Sequence, residues 1–482
     1  MSDLCLIEEE TEKQQAICRS LEFASQPSRF RSIAKAHHET FLWLFEAASS
    51  QKKLEYWLKS GSGIFWVSGR PGSGKSTLMK FLASHPRTLE ALKTWADHSP
   101  IITADHYFWS PGTPMQKSQQ GLLQTILLQI YQQNPTLIEQ TCGPRWKSSA
   151  RSEAWEVSEL NEVLLQIAAH PTLQTKFCFF IDGLDEYEGD HMDLCEVLTK
   201  LVSSGNIKLC LASRPWNVFE GYFGHNEASK IYIHQLTRQD IRNYVGSQLS
   251  EHFRWKTISG KDYGRRASDL IETTTERAKG VFLWVFLVTK QLREGLTNFD
   301  SVSDLWRRLE SFPTELEPFF KQMLDSVDKI YHQQASGALL ITLGSEKPQP
   351  SMIYHFHELE YPDENYVAEI TEIQQMTKCR LDARCRGLLQ VVEKKVEFLH
   401  RTVADFLRIG EMPAYLSAKK KPYFNPELAK LRAYSASVVA STQVNIFQYS
   451  ASSLFTVKIQ IKHTTTYADI RKPRGQLFSS SP

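Results

Sequence analysis

Ile64-Phe65-Trp66-Val67-Ser68-Gly69-Arg70-Pro71-Gly72-Ser73-Gly74-Lys75-Ser76-Thr77-Leu78-Met79-Lys80-Phe81-Leu82 decides how this 482-residue chain folds. An apolar, β-favouring run (64–68) enters a complete G-x-x-x-x-G-K-S loop, and a helix-compatible run (77–82) leaves it. In a strand–loop–helix setting the glycines let consecutive backbone N–H groups curl around phosphates. The helix start adds its own donors and dipole. Gly69, Arg70, Pro71, Gly72, Ser73, Gly74, Lys75, Ser76 and Thr77 are therefore the candidate nucleotide-binding residues. Lys75 supplies a point charge toward β/γ oxygens, and the Ser76 hydroxyl is a candidate Mg²⁺ ligand. The expected ligand is a purine nucleoside di- or triphosphate.

Such a loop needs an acidic element for the metal and the attacking water, expected at the end of a neighbouring buried strand. Phe179-Phe180-Ile181-Asp182-Gly183-Leu184-Asp185-Glu186 supplies it. Asp182, first after the strand, is the candidate to hold Mg²⁺ through its water shell. Asp185 and Glu186 follow one turn later, and either could orient or deprotonate a water; Glu186 ranks first for hydrolysis. The next strand, Leu209-Cys210-Leu211-Ala212, ends in Ser213-Arg214-Pro215-Trp216. A guanidinium at that tip reads either as a sensor of γ-phosphate charge or as an exposed arginine capping a turn.

Around these motifs the pattern alternates. Strands are expected at Ile64–Ser68, Ile101–Trp109, Phe177–Ile181, Ile207–Ala212 and Ile231–His234, and helices at Thr77–Ser84, Met115–Gln132, Val157–Ala169 and Met192–Val202. Alternation of this kind implies a parallel sheet covered on both faces, with ligand at the carboxyl ends of its strands. The run Lys176–Ile181 has no polar alternation, as suits a strand buried on both sides. An amphipathic helix is expected over His38–Leu58. After about residue 236 the strands largely stop. Helices are expected beginning after Thr237 and at Arg266–Arg277, Val281–Leu292 and Leu316–Ile330. A hairpin follows at 388–400, with a helix to Leu407, and Asn425-Pro426-Glu427 opens one more. The fold class is an α/β P-loop NTPase, a parallel sheet with helices on both faces, followed by a helical domain and a winged-helix-like unit. The boundaries read as an N-terminal helical linker (1–37), the P-loop core (38–235), the helical domain (236–312), the winged-helix-like domain (313–412), and a C-terminal helix with a Ser/Thr-rich, disorder-compatible tail (413–482).

Composition narrows the function classes. Hydrophobic residues make up 41% and charged residues 23%, ordinary for a globular protein, and the formal net charge of +2 provides no field for nucleic acid or membrane binding. The longest apolar run, 280–288, is too short to span a bilayer. The N-terminus is acidic where a leader would be basic. Eight scattered cysteines include no C-x-x-C pair, and Cys178 and Cys210 fall in expected buried strands, so a reducing cytoplasmic setting fits. No N-K-x-D guanine-reading motif or L-S-G-G-Q segment is present, and no Ser, Cys or His nucleophile constellation is recognisable. Asp105-His106 and His191-Met192-Asp193 stand alone. His400, closing Phe398-Leu399-His400, reads from pattern as a structural histidine.

Phe65–Thr77, Phe180–Glu186 and Ala212-Ser213-Arg214-Pro215 together resemble the NACHT family of signal-transduction NTPases, especially the fungal group related to incompatibility proteins. The D-G-x-D-E form is the more diagnostic part. Ser20–Phe45 is similar to the linker before NACHT in that group, and Ala278–Val285 to the helical segment after it. The resemblance implies a switch locked by ADP and opened by ATP, with Mg²⁺, slow ATPase activity at most, and nucleotide-dependent homo-oligomerisation. It implies a role in non-self recognition or programmed cell death. It also makes His400, within Phe398–Leu407, a latch on the nucleotide β-phosphate. Family members usually carry an effector domain first and often a C-terminal repeat array; neither is visible, so a separate effector protein is an expected partner. A turnover ATPase that remodels or moves a substrate, and a non-catalytic scaffold stabilised by nucleotide, are the alternatives.

Overall fold

A computed structural model describes residues 2–23, 25–37, 40–45, 52–147, 153–170, 174–259, 264–359 and 370–434. Five strands, β1 (Gly63–Ser68), β2 (Ile101–Tyr107), β3 (Lys176–Asp182), β4 (Ile207–Ser213) and β5 (Lys230–Tyr232), form one parallel sheet in the order β2-β3-β4-β1-β5. Every residue of β4 is buried, as are all but the first of β3. Their lack of polar alternation follows from helices on both faces. Side chains alternate between the two cores. Trp66, Phe177, Phe179 and Ile181 pack with helices Gln119–Gln133, Val157–Ala169 and His191–Val202, whereas Phe65, Val67, Cys178 and Phe180 pack with Lys53–Lys59, Lys75–Ser84 and Pro86–Ala96. Cys178 and Cys210 are buried free thiols, and burial pushes the Cys178 thiol up to about 12.

The strand order corrects one expectation. The strand carrying Asp182 is not the neighbour of the phosphate-loop strand, because β4 lies between them. The helix Lys75–Ser84 slants across the gap, its Leu78 and Met79 packing with Cys178, Phe180 and Cys210.

Element ends differ where side chains capture the backbone. β2 stops at Tyr107 because Trp109 N–H leaves the sheet for the Gln116 carbonyl (3.1 Å). The expected helix from Met115 is a 3₁₀ turn, Pro114–Lys117, then a fresh helix whose cap Ser118 accepts from Gly121 N–H (3.0 Å). β5 ends at Tyr232, and Ile233–Leu236 turns helical beneath the phosphate loop. In place of one helix over His38–Leu58 there is a 3₁₀ turn at Leu42–Phe45 and a helix at Lys53–Lys59. Phe41 sits at φ 68° and donates to Asp240 (3.3 Å), which also takes the Trp43 indole N–H (2.7 Å). Residues 38, 39 and 46–51 of that span lie outside the described residues. The N-terminal helix Ser2–Leu21 docks Ile17 and Leu21 into the sheet's core.

Beyond Thr237 the chain is mainly helical, and one apolar core runs from Ile241 to Ala433. A three-stranded antiparallel sheet is set into it: β6 (Gln349–Pro350), β7 (Leu389–Val392) and β8 (Lys395–Phe398), in the order β6-β8-β7. The turn residues Glu393 and Lys394 lie at φ 47° and 66°, the twist that a two-residue hairpin loop prefers. β6 was not expected, because two residues carry no period. Asn425 caps the last helix by accepting from Glu427 and Leu428 N–H (2.9 and 3.2 Å). The tail from 435 lies outside the described residues. No described helix is long and apolar enough to cross a membrane.

Candidate functional site

β1 delivers the chain into the loop at the carboxyl end of the sheet. Gly72 and Gly74 adopt φ of 71° and 94°, which a side chain would strain. A Cβ on Gly72 would also stand 2.7 Å from the Leu283 Cβ. Gly74 occupies the cap position of helix Lys75–Ser84 and has no side chain to satisfy the first N–H groups, so these donors are left for a ligand. The Ser73 hydroxyl is buried without a partner. Lys75 Nζ donates to the loop's own carbonyls, Gly69 (2.7 Å) and Arg70 (3.2 Å). Burial lowers its pKa, opposed chiefly by the Asp185 carboxylate. Residues Pro71 to Thr77 line a cavity of about 490 Å³, whereas Gly69 and Arg70 do not line it.

Asp182 is 2% exposed at the end of β3. It accepts the Ser76 hydroxyl, and its Oδ1 has no partner. Burial pushes its pKa up to about 6, against the pull of that hydrogen bond. A buried carboxylate oxygen left unpaired is costly in isolation. It suits a cation beside it, and with the Ser76 hydroxyl it matches the oxygen donors that Mg²⁺ takes while keeping waters. Among the described residues no cluster of three or more His, Cys, Asp or Glu forms a metal cage, so the rest of such a shell would come from phosphate and water.

Gly183 follows at φ 77°, with a Cβ position 3.2 Å from the Phe108 carbonyl, and caps the 3₁₀ turn Leu184–Glu186. This turn brings both Asp185 and Glu186 to the cavity, with different partners. Asp185, 6% exposed, is a fastener: it accepts Arg214 N–H (3.0 Å) and pairs with Arg214 Nε (3.0 Å). Glu186 accepts Ser110 N–H through Oε2 (2.8 Å) and lines the cavity. Arg214 lines it too, from the tip of β4.

His400 comes from the far end of the chain and lines the same cavity. It caps helix Arg401–Arg408, with Nδ1 accepting from Thr402 N–H (3.1 Å). That bond leaves the proton of the neutral ring on Nε2. Burial, with Arg29 and Lys75 nearby, pushes the pKa down to about 3, so the ring stays a neutral single donor. Three further charged residues escaped the sequence reading: Arg29 and Arg401, which line the cavity, and Asp405, which pairs with Arg401 and Arg214. Arg401 and Asp405 sit four apart on the helix after His400, a spacing that signals a charged helix face but not its partner. Arg29, in the short helix Ser28–Ser32, lines the cavity and its field favours the ionised Asp182.

The match to known families covers these parts. Residues 39–214 match the model described as Nephrocystin 3, N-terminal, a NACHT-like domain, so the match runs from before the phosphate loop to the arginine at the tip of β4. Over these residues the chain carries a NACHT-like P-loop NTPase domain. Residues 326–446 match a domain of unknown function (DUF7791), a span that contains β7, β8 and His400. No curated protein sequence matches the chain. Among solved structures, a STAND protein with a tetratricopeptide repeat sensor from Pyrococcus horikoshii is similar at TM-score 0.36 and 14% identity, over 86% of this chain and 51% of that one. A Walker-type ATPase of Pyrococcus abyssi (TM-score 0.33, 13% identity, 79% and 99% covered) and the Aeropyrum pernix ORC1 protein in complex with DNA (0.33, 13%, 76% and 92%) are similar at the same level. Values this low carry no functional information, and the assignment stands on the matched residues.

Proposed function

We propose that this NACHT protein is an ATP/ADP switch that couples nucleotide exchange and slow Mg²⁺-dependent hydrolysis to opening and self-association. The observation that carries this reading is that Lys75, Asp182, Arg214 and His400, from both ends of the described chain, line one cavity. An occupant there is held by the core (38–235) and touched by the C-terminal part, which we read as a helical domain (236–312) and a winged-helix-like unit (313–412).

In this reading the first-turn N–H groups of helix Lys75–Ser84 and the Lys75 ammonium grip phosphates, the ammonium exchanging its loop carbonyls for them. Ser76 and Asp182 hold Mg²⁺. Bound Mg²⁺ neutralises charge on the terminal phosphate oxygens. Glu186 orients or deprotonates the water, Arg214 answers the γ-phosphate charge, and Asp185 holds Arg214 in place. His400 offers Nε2–H to a β-phosphate, so ADP favours the closed form. Moving such an equilibrium from 1:99 to 99:1 takes about 5.5 kcal/mol of differential affinity, and a contact made only in the closed form is one source of it. The resemblance extends this to fungal non-self recognition or programmed cell death, with a separate effector protein.

The test is the nucleotide that co-purifies, released by denaturation and separated by ion exchange. Stoichiometric ADP, absent from Lys75→Ala, supports the switch. An empty protein that turns over added ATP many times a minute overturns it in favour of a remodelling or motor ATPase.

A further inference from the structure

The groups expected to carry out hydrolysis are not free in this conformation. Arg401 NH1 lies 3.2 Å from Asp185 Oδ2 and 3.2 Å from Glu186 Oε1. Arg214 NH2 lies 3.0 Å from Asp405 Oδ2, while its Nε holds Asp185 at 3.0 Å. Arg401 Nε approaches Asp405 at 3.5 Å and closes the ring. Asp185, Glu186 and Arg214 belong to the NACHT core, whereas Arg401 and Asp405 belong to one helix, Arg401–Arg408, at the other end of the chain. The side chains of Asp185, Glu186, Arg401 and Arg214 are 4%, 13%, 17% and 19% exposed, so salt screens these pairs less than surface ones.

We propose that helix Arg401–Arg408 is an autoinhibitory element that disarms hydrolysis by charge sequestration. This rests on the reading of Glu186 and Arg214 as hydrolytic groups. Both Glu186 oxygens are committed, one to Ser110 N–H and one to Arg401, so a water must compete for the carboxylate. Arg214 spends one of its two terminal nitrogens, NH2, on Asp405 and its Nε on Asp185, which holds the guanidinium toward the carboxylates. One movement, withdrawal of the helix, frees the carboxylate and the guanidinium together. The closed form then holds nucleotide without cleaving it, and hydrolysis belongs to the open form. His400 and the ring sit on the same element but act differently: His400 on retention of nucleotide, the ring on chemistry.

The experiment compares wild type, His400→Asn and the double variant Arg401→Gln/Asp405→Asn as full chains. It measures single-turnover ATP hydrolysis, release of a fluorescent ADP analogue, and hydrodynamic radius. The double variant is expected to hydrolyse bound ATP at least about tenfold faster, with a larger radius, whereas the expected effect of His400→Asn is faster ADP release. Faster ADP release by the double variant with unchanged hydrolysis would make the ring a docking contact and overturn the proposal. So would unchanged values for all three readouts. Should the double variant fail to fold, Arg401→Lys keeps the charge but cannot span two carboxylates, and an intermediate rise in hydrolysis is expected; wild-type hydrolysis there overturns the idea. Failure of the switch reading itself looks different: wild type would bind no nucleotide that Lys75→Ala loses.

Discussion

The phosphate loop and the helix after His400 meet in one cavity, yet they are built in opposite ways. In the loop the backbone does the binding, and positive-φ glycines and a helix start free of side-chain caps shape it within a few residues. At the helix Arg401–Arg408 the backbone only carries charges, and their partners lie just after β4 and in the turn after β3. Geometry built from contiguous backbone resists change and can be read from a motif. Geometry built from long side chains across two parts of a fold is reversible, which suits a device that must open.

The sharpest way to break the comparison is on the loop side. Lys75→Ala is expected to lower nucleotide affinity at least about 100-fold, roughly 2.7 kcal/mol, by isothermal titration. Affinity within a few-fold of wild type would move the site elsewhere. Gly280→Ala tests how firmly the helical region is seated on the loop. At φ 76°, its Cβ would fall 1.8 Å from the His234 carbonyl, and Leu283 N–H, three residues on, donates to Gly72 (3.0 Å). A loss of about 2–4 kcal/mol in denaturant unfolding is expected, because two backbones must separate. A neutral result would show the two parts to be loosely joined.

Asp182→Asn isolates the buried carboxylate. Between pH 3.8 and about 6 the folded chain holds the Asp182 proton more tightly than the unfolded chain does. The nucleotide-free protein therefore loses stability from this group as pH rises through that window, and above it the deficit is constant. The asparagine variant is expected to be more stable than wild type by about 1–3 kcal/mol at pH 7.5, with little difference at pH 4, while losing any response to Mg²⁺. Equal stability at both pH values would mean that burial does not raise the Asp182 pKa. The smallest effect belongs to His400. Asparagine keeps a capping oxygen but not the Nε2–H, so His400→Asn should release ADP about tenfold faster at nearly unchanged melting temperature. His400→Ala should also lose about 0.5–2 kcal/mol with the cap.

Legibility followed the same divide. Asp182 and Arg214 could be singled out from sequence because they follow the apolar runs Phe177–Ile181 and Leu209–Ala212, and Gly183 marked the turn after Asp182. That Asp185 fastens Arg214 while Glu186 accepts from Ser110 N–H could not be picked, because it depends on how a 3₁₀ turn sets two adjacent carboxylates against residues far along the chain. The helix expected over His38–Leu58 failed at Phe41 to Trp43, where one hydrogen bond from each of those two residues to Asp240, far along the chain, outweighs helical periodicity. Strand β6 is two residues long and exists only because β8 offers an edge.

Local chemistry determined the phosphate loop, the buried strands and the hairpin turn, because glycine φ, apolar runs and turn residues act within a few residues of themselves. The order β2-β3-β4-β1-β5, the placing of Asp182 against Ser76 across an intervening strand, and the ring that ties Arg401 and Asp405 to Asp185, Glu186 and Arg214 were decided by the tertiary structure. A charge carries no record in sequence of the partner it will meet. Only the packing that removes it from water selects that partner.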